Sequence, residues 1–176
     1  MATAVPDIRH PTGPRTPHLQ KLWNLLVRGP GRSRRPVDLA ATAAFAVGGV
    51  LLIWSAYIHF HLWNEADGYR SIPTIGPLFL LQSITGLVIG IGVVVVRRVW
   101  AAVIGLGFAL TTIAGFLLSV SHGLFGFKDS WLAPFAKQAF TIELLVAVVL
   151  IVAASLSLVR SDPHARAGTT PAGTAT

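Results

Sequence analysis

The chain predicts an all-α, four-helix transmembrane bundle with both ends on the cytoplasmic side, and three observations predict it. Charged residues make up 12% of the 176-residue chain and apolar residues 53%, with a mean hydropathy of +0.65. That is about half the charge of an ordinary soluble domain. Apolar runs at about 39–62, 75–96, 99–120 and 135–159 are each long enough to cross ~30 Å of hydrocarbon as a helix. Helices are required there, because an open strand would leave backbone groups unpaired in lipid. The third observation is the placement of the basic residues, eleven of the fourteen falling on one side of these runs.

Residues 1–36 form a basic tail rich in proline and threonine, expected to be disordered. Within it, 18–28 places Leu19, Leu22, Trp23, Leu25 and Leu26 on one face, which predicts a short helix lying in the interface before the first span. The linker that follows, RGPGRSRRP, abuts the first apolar run and should hold that end in the cytoplasm. The run is too long for a cleaved signal core and reads as an uncleaved anchor. Arg97-Arg98 is a two-residue turn, making the second and third spans antiparallel neighbours. The tail 161–176 is polar, small-residue and expected to be disordered.

The positive-inside rule gives the orientation. Seven basic residues precede the first span, Arg97 and Arg98 lie between the second and third, and Arg160 and Arg166 follow the fourth. The opposite loops hold only Arg70, Lys128 and Lys137. Charge placed this way is a topology signal. With no zinc-ligand spacing and no aromatics interleaved among the basic residues, nucleic acid is excluded as a partner.

Small residues fill the spans, including Gly86 and Gly90 in GLVIG. They let helices approach where lipid offers no hydrophobic drive for association. Their expected use is packing within the bundle, with a homo-oligomer face as the alternative.

The site-like features converge towards the outer ends of the spans. Glu143 lies about eight residues into the last span, where a carboxylate costs several kcal/mol unless paired or neutralised. Gln82 sits at a similar depth in the second span, so Gln82 and Glu143 form an expected intramembrane polar cluster. His59 and His122 end the first and third spans, each ahead of a proline-led span (PLFLLQ and PFAKQ), a pattern that would fit a duplicated hairpin. Two imidazoles facing across a bundle would ligate a b-type haem. With Glu143, and with His61 should the helix fray at Phe60, they would instead hold a transition metal. The glycine- and aromatic-rich loop HGLFGFKDSWLAP is expected to anchor at the membrane interface, with capping of the same space as the alternative. Absent cysteine rules out disulfides and thiolate sites, and no phosphate-binding loop, HExxH pair or GxSxG elbow occurs.

The runs HLWNEADGYRSIPTIGPLFLLQ and GFLLSVSHGLFGFKDSW resemble small four-span integral membrane proteins of actinobacteria to which no activity is attached. The resemblance spans about residues 40–158 and implies a bacterial plasma-membrane protein. The leading functional expectation is a non-enzymatic accessory or assembly subunit of a larger membrane complex. The alternatives are a haem- or metal-binding redox protein, and a small transporter or lipid-binding protein using Glu143 and Gln82.

Overall fold

The computed structural model describes residues 17–30, 35–65 and 68–159. The disorder expected for residues 1–16 and 161–176 falls outside these residues.

Among the described residues five helices form, α1 (Pro17–Leu26), α2 (Pro36–Asn64), α3 (Ile75–Val96), α4 (Val99–Ser121) and α5 (Ala136–Val159), with one 3₁₀ turn at Tyr69–Ser71. Among the described residues there is no strand, only an isolated bridge between Leu124 and Phe127 that pinches the α4–α5 loop. Helices α2 to α5 are long and apolar enough to cross a membrane.

Local chemistry sets the helix ends. Pro36 opens α2 at a position whose N–H has no intrahelical partner anyway. Helix α3 stops where Arg97 takes a left-handed φ of 48°. Arg98 returns to extended backbone and α4 starts at once. The same corner holds α1. The Val99 N–H donates to Arg28 O at 2.8 Å, and Arg98 Nη1 donates to Val27 O at 2.7 Å. Unsatisfied carbonyls beyond one helix end thus meet an unsatisfied N–H at the start of another. Helix α1 buries none of its own side chains, leaving Leu19, Leu22 and Trp23 exposed.

The four long helices form a ring. Helix α2 packs on α3 and α5, and α5 packs on α4; the seam between α3 and α4 is the thinnest, although the shortest turn joins them. Phe45, Leu52, Val93, Val146 and Leu150 fill the core. Helices α2 and α3 touch through backbone: a Cβ on Gly90 would lie 2.9 Å from Gly49 O, and one on Gly49 would lie 2.7 Å from Gly90 O. The GLVIG stripe is therefore used for packing inside the bundle, the approach that small residues permit.

Candidate functional site

Helix α5 presents a buried stripe of Ala136, Ile142, Val146, Ala147 and Leu150, and Glu143 sits in the middle of it, 1% exposed. Spacing of three and four residues keeps that stripe on one helix face, so the acid is turned inward with its apolar neighbours. Its partner comes from α2. The Ser55 hydroxyl donates a short hydrogen bond to Glu143 Oε1. Glu143 Oε2 has no hydrogen-bond partner among the described residues.

His59 lies one turn along α2 from Ser55 and is also buried. Its Nδ1 is 2.9 Å from Ser55 O. A backbone carbonyl only accepts, so Nδ1 carries the proton and donates. Nε2 is then the ring atom left for the cavities that His59 lines. Ser55 joins the histidine and the acid: one residue offers its carbonyl to the first and its hydroxyl to the second.

A second group covers these residues from the loops. Tyr69 stacks on Phe79 with centroids 4.1 Å apart, and Phe127 meets its edge at 5.7 Å. The Tyr69 hydroxyl donates to Asp129 Oδ1 at 3.4 Å. Asp129 is anchored by the Ser130 N–H at 2.7 Å, and its own N–H donates to Ser119 Oγ at 3.3 Å. Burial, with the adjacent Asp129 charge adding to it, pushes the Tyr69 phenol up to about 12. Trp131 closes the far side, edge-on to Phe116 at 4.8 Å and to Phe140 at 5.1 Å.

Two adjoining spaces result. The smaller, of about 50 Å³, is walled by Glu143, His59, Asp129 and the rings of Tyr69, Phe79, Phe116 and Phe140. The larger is a cleft of about 400 Å³ along the α3–α4 seam, lined by Leu78, Leu81 and Gln82 on one side and Thr111, Thr112 and Gly115 on the other. His59, Phe79, Thr112, Phe116 and Asp129 line both. Leu124, Phe127 and Asp129 of the α4–α5 loop line the cleft, the capping arrangement that is the alternative to interface anchoring for that loop.

The expected constellation is split. His59 and Glu143 share a cavity, but His122 is exposed at the end of α4, with Nδ1 2.8 Å from Ser121 Oγ. It lines neither space, so the two axial imidazoles of a haem b site do not face each other. His61 is directed elsewhere because α2 does not fray at Phe60; it remains helical through Asn64. Two residues on a helix point to different faces, and His61 instead pairs with Glu65 at 2.9 Å and stacks on Tyr57. No group of three histidine, aspartate or glutamate side chains suited to a metal occurs among the described residues. Gln82 does not pair with Glu143. Its amide donates to Thr112 Oγ1 on α4, because α2 and its Ser55 reach the acid first.

Ser55, Thr112 and Asp129 are the participants that sequence reasoning missed. Ser55 carried a usable signal, being four residues before His59 and hence on the same helix face. Asp129 carried a weaker one, as the acid within a loop for which capping is the alternative to interface anchoring. Compared with known proteins, the chain matches no family model, no curated relative and no solved structure.

Proposed function

We propose that this is a multi-pass protein of the bacterial plasma membrane, both termini cytoplasmic, that binds an amphipathic molecule drawn sideways from the lipid into the α3–α4 cleft. One observation carries the reading. The thinnest seam of the ring is a largely apolar cleft of about 400 Å³ whose wall includes Gln82, Thr112, His59 and Asp129. A chain of methylenes matches the apolar part, and a polar head matches the cluster under the loops. The one-sided basic residues support the orientation, and that orientation puts the loop end outside. The resemblance to actinobacterial four-span proteins supports the bacterial setting.

The accessory-subunit reading draws on no comparable feature. Exposed large apolar residues are spread over α2, α3, α4 and α5, as in Val50, Val88, Ile104 and Leu145, so lipid contact accounts for them without a distinct protein-binding face.

The test is saturable binding of radiolabelled dodecanol to the protein in nanodiscs, measured against empty nanodiscs. Gly115 lines the cleft and a Cβ there would meet nothing within 4 Å, so Gly115→Leu is the substitution chosen to narrow the cleft. Binding is expected in the unaltered protein and lost in this variant. Equal uptake by both would contradict the cleft.

A further inference from the structure

We infer that the small cavity beneath the loops is a site for a primary ammonium head group, so that the molecule held in the cleft is a single-chain amine; this rests on the cleft reading above. The largely apolar wall of the cavity carries three hydrogen-bond acceptors, on Glu143, Asp129 and His59. Glu143 Oε2 is buried and unpartnered, Asp129 contributes a second carboxylate, and His59 contributes Nε2, since its Nδ1–H is committed to Ser55 O. Among the described residues that line it there is no lysine or arginine.

A set of acceptors is completed by a donor. An ammonium group has three donors and no acceptor, which is the complement of this set. The rings of Tyr69, Phe79, Phe116 and Phe140 add faces that attract a desolvated cation. A carboxylate at membrane depth also gains most from a partner of opposite charge. A metal ion fits less well, because no set of three suitable ligands converges among the described residues.

Size divides the ligand between the two spaces. The inner one, about 50 Å³, takes a compact head and not a chain. The adjoining cleft, about 400 Å³, takes the chain, and Phe79, Thr112 and Phe116 stand at the junction.

The experiment compares radiolabelled dodecylamine with dodecanol, equal in chain length, on the protein in nanodiscs. The amine is expected to bind about tenfold more tightly, the scale of one desolvated cation contact. Glu143→Gln keeps an acceptor for Ser55 and should narrow the amine's advantage, lowering dodecylamine binding more than dodecanol binding. Should that variant not fold, Asp129→Asn is read instead and should narrow the gap. Equal binding of amine and alcohol by the unaltered protein, or a preference undiminished by substitution, overturns the ammonium site and leaves the cleft standing. If neither ligand binds above empty nanodiscs, the cleft itself is wrong.

Discussion

Ser55 connects the two buried polar groups of the bundle. Its hydroxyl is the only hydrogen-bond donor to Glu143 among the described residues. Ser55→Ala would leave both carboxyl oxygens without a partner, a loss of about 1–3 kcal/mol. Ser157 is equally buried but donates only to Ala153 O of its own helix, so Ser157→Ala should be close to neutral. Thermal unfolding of the two variants in one detergent checks the contrast. Tyr69 supplies a pH test. Its phenol is raised from 10.0 to about 12, so the folded protein releases this proton at higher pH than the unfolded chain. Tyr69 therefore contributes its full stabilisation below pH 10 and loses it as pH climbs through about 12. Ultraviolet titration should show a late tyrosinate component near that value, absent in Tyr69→Phe. Glu143 was legible at this scale because an acid in an apolar run stands out on composition alone. Ser55 was not, because hydroxyl residues in these helices usually bond their own backbone, as Thr42, Thr111 and Thr141 do. Only the packing of α5 against α2 separates Ser55 from them.

The extents of the helices could be read closely from the sequence, since hydropathy and the Arg97-Arg98 turn mark where each must stop. Which faces meet could not. The spans are apolar around their whole circumference, and a helix without a polar side carries no periodic sign of its inward face. That is why Gln82 was paired with Glu143 on depth alone, although the ring places Gln82 against Thr112. His122 was misplaced for a related reason: two residues at one height still differ in the direction they point. Glycine contacts give the clearest test of element packing. A methyl group on Gly90 would crowd Gly49 O and Ile53, so Gly90→Ala should cost about 1–3 kcal/mol. Gly92 is one half-turn away with nothing within 4 Å of a new Cβ, and Gly92→Ala should be tolerated. Unfolding midpoints for the pair decide whether α2 and α3 meet as described.

At the scale of the whole molecule, the four-helix ring is closed firmly on three sides and thinly between α3 and α4. An even number of spans leaves both ends of the helical bundle on one side, and the orientation proposed from the basic residues, with that side cytoplasmic, is open to labelling. Absence of native cysteine makes single-cysteine reporters clean. A cysteine at exposed Ser130 should react with an impermeant maleimide applied to intact cells, whereas cysteines at Thr3 and Thr170 should react only after lysis. The central claim is narrower, that the α3–α4 seam is where a lipid-phase molecule enters. Photocrosslinking with a diazirine-bearing fatty alcohol in nanodiscs, followed by peptide mapping, tests it most directly. Adducts concentrated on the 78–85 and 108–116 segments, and removed by Gly115→Leu, are the predicted result. Adducts spread evenly over the outward faces of α2, α3, α4 and α5, unaffected by that substitution, would contradict it.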